Sequence, residues 1–268
     1  MTKPIFWVTV ALGACGGDDG GGIVVFGDPT LVVIANPGIN DANESAVPIP
    51  GPAFDGIDVE LDSGPSATTG AEGIVVLSPV PPGQRRVSFF DGGVDGEVTV
   101  DMGERELREV AVAVDGGGAE IMTEVDYDFG GAVLELTPET PIADVVAALQ
   151  SSNTILLFHG GTYVVGDVEM SGSRVTLFGD SLLDRAVVIE GNVDVRGSYN
   201  RIRGAIITGA LTIDGSDAGV SFSTVLGPTI VSGSGTRLLA NDLCGTVSVT
   251  GSNLTAVGNA GLAPIPAV

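Results

Sequence analysis

The chain is poor in the residues that most catalysis and most cross-linking require. It holds one histidine (His159), two cysteines (Cys15 and Cys244), one tryptophan (Trp7) and 11 Lys+Arg in 268 residues. A single histidine excludes a multi-histidine metal centre. It also leaves a Ser-His-Asp triad only one possible base. No nucleophile-elbow sequence accompanies it, and within Phe-His-Gly-Gly-Thr it reads as a turn residue. Two cysteines exclude a disulfide framework. The basic residues face 34 Asp+Glu, for a net charge of −23. Such a chain repels phosphate backbones, so nucleic acid is not an expected partner. Neither a P-loop nor a dinucleotide fingerprint stands out from the glycine background, and no cofactor is expected. Aromatics are few and long helical patterns scarce.

What is present is glycine (41 residues), proline (15) and many Val and Ile. β-Branched residues separated by turn formers read as short strands rather than disorder. The acid is uneven. Residues 16–135 hold 23 acids and 4 bases, residues 136–268 hold 11 acids and 6 bases. This shift supports a boundary near residue 136.

The N-terminus, MTKPIFWVTVALGAC, carries one Lys and an apolar run from Ile5 to Leu12. The run is too short to span a bilayer and suits the h-region of a secretory signal. Leu12-Gly-Ala-Cys15 resembles the lipobox of bacterial lipoproteins. The resemblance implies cleavage before Cys15, diacylation of its sulfur and attachment to a membrane by that lipid. Gly16 after the cysteine, where Asp would mean retention, implies an outer-membrane address in the bacterial envelope. Residues 16–23, GGDDGGGI with its glycines, read as a flexible tether. With Cys15 lipidated, Cys244 has no partner in the chain and is expected to be a buried, inert thiol.

Residues 24–135 show strand patterns at Leu31–Ala35, Ile57–Leu61, Gly73–Leu77, Arg86–Phe90, Glu97–Val100 and Val110–Val114. Their spacing predicts an antiparallel β-sandwich. Within it, Thr69-Gly-Ala-Glu-Gly73 and Val80-Pro-Pro-Gly83 join successive strands. This arrangement resembles the carboxypeptidase regulatory-like, transthyretin-like sandwich, which implies a spacer or adhesive unit. Asp91–Glu97 and Asp126-Tyr-Asp128 place oxygens at alternate positions, as Ca²⁺ prefers, but neither follows a calcium-loop spacing. Both read as solvated turns.

Residues 136–268 repeat. Gly191-Asn-Val-Asp-Val-Arg-Gly-Ser198 returns as GALTIDGS at 209, GPTIVSGS at 227 and GTVSVTGS at 245, and an earlier copy starts at Gly166. The last four copies are 18 residues apart; the first gap is 25, one period plus an insertion around 181–187. Residues two and four after each leading glycine are apolar in nine of ten cases and the residues between are largely polar. That alternation is a strand with one buried face. Leu177, Ile202, Val220, Leu238 and Ala256 form a second inward column, and Leu182, Ile207, Val225 and Leu243 a third. A left-handed hexapeptide helix would need an apolar residue where Thr176, Arg201, Gly219, Arg237 and Thr255 stand. The expectation is therefore a short right-handed parallel β-helix, each coil stacking on the next. The Gly-Ser pair is taken as the corner, with glycine supplying positive φ. Thr140-Pro141 predicts a helix start. Ile142, Val145, Val146 and Leu149 then form the apolar face of a capping helix. Thr154–Tyr163 resembles the first coil of pectin-lyase-like β-helices, a likeness that bears on architecture.

Outward positions gather Glu169, Asp194, Arg196 and Asp214 within roughly 5–10 Å on neighbouring coils. Paired carboxylates can serve glycoside hydrolysis, and with an arginine an elimination. Outward strand faces are polar anyway, however, and such neighbours are ordinary cross-rung pairs. The leading expectation is a non-enzymatic outer-membrane or surface lipoprotein, adhesive, scaffolding or ligand-binding, with a polysaccharide or another envelope protein as partner. The alternative is a carbohydrate-active lyase or hydrolase using those four residues. A third class is self-assembly through exposed solenoid ends, against which the helix cap and Pro264-Ile-Pro266 argue.

Overall fold

The computed structural model describes residues 28–36, 54–91, 94–115, 118–182 and 185–260. Cys15, the tether and the terminal prolines lie outside the described residues. Eight strands come first: β1 (Thr30–Asn36), β2 (Asp58–Leu61), β3 (Ser66–Thr68), β4 (Ile74–Leu77), β5 (Gly83–Asp91), β6 (Val94–Met102), β7 (Glu106–Asp115) and β8 (Gly118–Asp128). They form two four-stranded sheets, β4-β1-β7-β8 and β3-β2-β5-β6. One core, including Leu31, Val33, Val59, Phe89, Val98 and Val112, lies between them. All pairs are antiparallel except β1 with β7, which runs parallel from Thr30↔Leu107 to Asn36↔Ala113, so the first sheet is mixed. Asp126-Tyr-Asp128 is not a turn. It ends β8, with Tyr127 buried between two exposed aspartates.

The chain then winds into a right-handed parallel β-solenoid. It opens with β9 (Ala132–Leu136) and α1 (Ile142–Leu149). Coils follow as β10 (Thr154–Phe158), β11 (Gly161–Val164), β12 (Val168–Met170); β13 (Val175–Gly179), β14 (Val187–Glu190), β15 (Val193–Val195); and β16 (Arg201–Arg203), β17 (Ala205–Ile207), β18 (Leu211–Ile213). The last are β19 (Gly219–Ser221), β20 (Thr224–Val225), β21 (Thr229–Val231); then β22 (Arg237–Leu239), β23 (Asp242–Leu243), β24 (Val247–Val249), and finally β25 (Thr255–Val257). Three parallel sheets result, of seven, five and five strands. Register confirms the period: Arg201 pairs with Gly219, Gly219 with Arg237 and Arg237 with Thr255. Thr176 pairs with Arg201, the coil lengthened by the insertion. The inward columns make one continuous core from Leu136 to Ala256. Leu182 is an exception to the predicted third column. The insertion displaces it, Ile189 pairs with Ile207 instead, and Leu182 packs on the solenoid's outer face.

The corner chemistry differs from the expected one. Gly197, Gly215, Gly233 and Gly251 lack positive φ. A Cβ on any of them would overlap the carbonyl oxygen of the glycine one coil earlier. Glycine is required there because backbones stack too closely for a side chain. The left-handed corner falls two residues later, at Arg174, Tyr199, Asp217, Gly235 and Asn253, with φ of 57°, 60°, 52°, 69° and 56°. A second such column is Gly204, Phe222, Ala240 and Gly258. Beside it, Asn241 and Asn259 donate through Nδ2 to Val220 O and Leu238 O. Their Oδ1 atoms accept from Ser223 N and Asn241 N, so these buried turn groups are satisfied internally.

Helix α1 buries Val145, Ala148 and Leu149, while Ile142 faces outward. Thr140 does not cap it; Thr140 Oγ1 accepts from Thr137 N instead. No described helix is long and apolar enough to cross a membrane.

The sandwich sits directly on the solenoid. Leu31, Val33 and Ala35 of β1 face the sandwich core, whereas Val32 and Ile34 join Leu107, Ala111, Val125, Tyr127 and Phe129 against Ile155, Leu157, Phe178, Leu239 and Val257 of the seven-stranded sheet and Phe222 at its corner. This explains why TLVVIAN is buried at all seven positions: a strand between two packed layers has no wet face.

Candidate functional site

The outward ladder on β12 and β15 brings three of the four candidate residues together. Glu169 pairs in register with Asp194. Arg196, two residues further on, reaches back to both. Its Nη2 lies 2.7 Å from Asp194 Oδ2, its Nε donates to the same oxygen at 2.8 Å, and its Nη1 lies 3.3 Å from Glu169 Oε2. The guanidinium is held above its usual pKa, first by the hydrogen bond and charge of Asp194, then by Glu169. Asp214 stands one rung beyond Arg196 but accepts from Ser232 Oγ at 2.8 Å. The two carboxylates, both half-buried, thus share one more exposed cation on the outer strand ladder. Acid–base catalysis needs two carboxyl groups in different environments, one kept protonated and the other free. A shared guanidinium gives both the same partner instead.

His159 lies in the turn after β10. Its Nδ1 is 3.2 Å from Asp180 Oδ2 and its Nε2 3.5 Å from Glu135 Oε2. Asp180 Oδ2 also accepts from Gly160 N, so the group ties the turn to the insertion. Tyr163 OH donates to Leu136 O and His159 O. Burial pushes its phenol up to about 12, helped by the charges of Asp180 and Glu139. Among the described residues no group of three His, Cys, Asp or Glu is placed to hold a metal ion. Asp126 and Asp128 line a shallow pocket with Glu104, Arg105 and Glu106, and Gly130 N donates to Asp128 Oδ1. Cys244 is half-buried rather than fully buried.

The strongest polar constellation escaped the sequence reading. Glu109 of β7 and Arg203 of β16 meet fully buried, Arg203 Nε donating to Glu109 Oε1 at 2.6 Å. Tyr127 OH donates to Glu109 Oε2 at 3.2 Å and lies 2.7 Å from Ser221 Oγ. Burial, then the Glu109 charge, raises the Tyr127 phenol well above its ordinary value. The guanidinium is stacked between Phe178 and Phe222, 5.1 and 4.8 Å from their ring centroids. A signal existed. The outward column Phe178, Arg203, Ser221, Leu239, Val257 is too apolar for a wet face. Arg185, on the insertion, was also missed. It donates from Nε to Phe222 O and from Nη1 to Thr224 Oγ1, and pairs with Asp242.

Comparison with family models, with curated proteins and with solved structures returns no match, so the functional reading rests on this geometry.

Proposed function

We propose that the chain is a lipid-anchored display module of a bacterial envelope that binds rather than turns over its partner. Cys15 carries the acyl chains, residues 16–23 stand the protein off an outer membrane, and the sandwich and solenoid form one rigid head. The partner is a polysaccharide or another envelope protein, met on the two solenoid sheets that the sandwich leaves uncovered.

The observation that carries this reading is the sharing of Arg196 by Glu169 and Asp194. A site poised for hydrolysis or elimination separates the environments of its acid and its base; here one cation holds both half-buried carboxylates. A rigid frame with a polar outer ladder suits recognition, since little conformational entropy is lost on binding.

Two measurements test it. The full chain incubated with a panel of bacterial and plant polysaccharides should release reducing or unsaturated sugar ends at the blank rate. Turnover that Glu169→Gln abolishes would establish the carbohydrate-active alternative instead. Labelled palmitate should enter the chain in a bacterial host and fail to enter Cys15→Ser; label that persists in that variant rules out the anchor.

A further inference from the structure

Among the described residues, the solenoid begins on a strand with one unpaired edge and both faces part exposed. β9 is the terminal strand of the seven-stranded sheet and, among the described residues, pairs in it with β10 alone, from Ala132↔Thr154 to Leu136↔Phe158. Val133 continues the outward column of Ile155, which is 7 % exposed, yet Val133 is 38 % exposed. The sandwich therefore stops one rung short. Leu134 continues the inward column of Leu156, which is fully buried, yet Leu134 is 46 % exposed. Helix α1 does not reach over it, and its own Ile142 is 45 % exposed. Natural sheets blunt such edges with Pro, Lys, a bulge or a cover. The sequence Ala-Val-Leu-Glu-Leu has neither Pro nor Lys, and its one charge, Glu135, faces His159.

We propose that β9 is a homodimer interface: two copies of this chain pair their β9 strands antiparallel about a twofold axis, joining two seven-stranded sheets. The inward residues of the strand match their own copies in that direction. A register centred on Leu134 sets Leu134 against Leu134 of the second copy, Val133 opposite Glu135 and Ala132 opposite Leu136. Apolar side chains meet apolar ones along the inward side. Like charges directly opposite each other weaken a strand pair, and this register avoids that although each chain carries a net charge of −23. Each Glu135 also keeps its place beside His159. An isologous contact of this kind consumes both edges, so assembly stops at two copies rather than growing into a filament. The dimer would present two binding heads, but it stands independently of what they bind.

The test is sedimentation of the full chain over a concentration series, with charge variants at an exposed position outside the core. The wild type should show a concentration-dependent dimer. Val133→Glu places Glu opposite Glu135 and should shift the equilibrium to monomer. Val133→Lys places Lys opposite Glu135 and should tighten the dimer. In a Cys15→Ser, Cys244→Ser background, Leu134→Cys should oxidise to a covalent dimer, whereas Val164→Cys should not, although Val164 is more exposed at 68 %. A chain monomeric at every concentration overturns the proposal. So does a dimer that Val133→Glu and Val133→Lys affect alike, or one that Leu134→Cys fails to trap.

Discussion

Glu109 and Arg203 stand 94 residues apart in the chain and 2.6 Å apart in the fold, with no solvent exposure on either side chain. Each comes from a different half of the molecule, and each points out of its own sheet into the other. Both carboxylate oxygens are used, one by Arg203 and one by Tyr127. The pair lies within the apolar contact between sandwich and solenoid.

Removing one partner should therefore be far worse than removing both. Glu109→Ala or Arg203→Ala leaves a buried, unpaired charge and is expected to cost about 3–5 kcal/mol. The double variant Glu109→Leu, Arg203→Met leaves none and should cost much less than the sum of the single losses. Denaturant melts of the three variants measure this. Additive losses would mean that the charges are not coupled.

The stacked glycines and the left-handed corners should respond with opposite sign to the same pair of residue types. Gly215→Ala forces a methyl into the Gly197 carbonyl and is expected to destabilise by about 1–3 kcal/mol. Ala240→Gly relieves a φ of 51° at a position aligned with Gly204 and Gly258. A left-handed L-residue costs roughly 1–2 kcal/mol, part of which is returned as unfolded-chain entropy. Thermal melts should show Ala240→Gly unchanged or slightly raised in Tm, and Gly215→Ala clearly lowered.

Thr229 breaks the inward apolar column of β21, and its Oγ1 has no hydrogen-bond partner although the residue is buried. A buried hydroxyl without a partner is destabilising, so the nearly isosteric Thr229→Val should stabilise by about 1 kcal/mol. A measured loss would show that the hydroxyl stabilises the fold and overturn this account.

Alkali should weaken the fold through two tyrosines. Burial pushes the Tyr163 phenol up to about 12 from an ordinary 10.0 and raises the Tyr127 phenol well above its ordinary value. In both, the neutral phenol is the form the fold accepts. That stability is intact below about pH 10 and declines as pH rises from there toward 12. Tm measured across this interval should fall, and Tyr163→Phe should flatten part of the fall. A profile that Tyr163→Phe leaves unchanged would remove Tyr163 from the account.

Much of the solenoid was legible because its physics is local and repeated. A side chain that must point inward once per strand recurs at fixed spacing, and stacking multiplies the signal. The inward residues Val193, Leu211 and Val231 are read this way, and so is the meeting of Glu169 and Asp194, which follows from register alone. The Gly-Ser corners were legible in position but not in cause. Positive φ and close backbone approach both select glycine, and the sequence does not distinguish them. Arg196 could be placed beside Glu169 and Asp194, but not the sharing of its guanidinium, since that depends on rotamers.

By itself the sequence determined the coil, its period, its inward columns and six of the eight strands of the sandwich, β3 and β8 excepted, because each follows from alternation between neighbours along one chain. Only the tertiary structure decided that the sandwich lies on the solenoid's seven-stranded sheet, that Glu109 meets Arg203, and that Val133 and Leu134 of β9 are left exposed among the described residues. Those contacts join residues far apart in sequence, and no period relates them. They arise from the shapes of two faces that exist only once each half has folded.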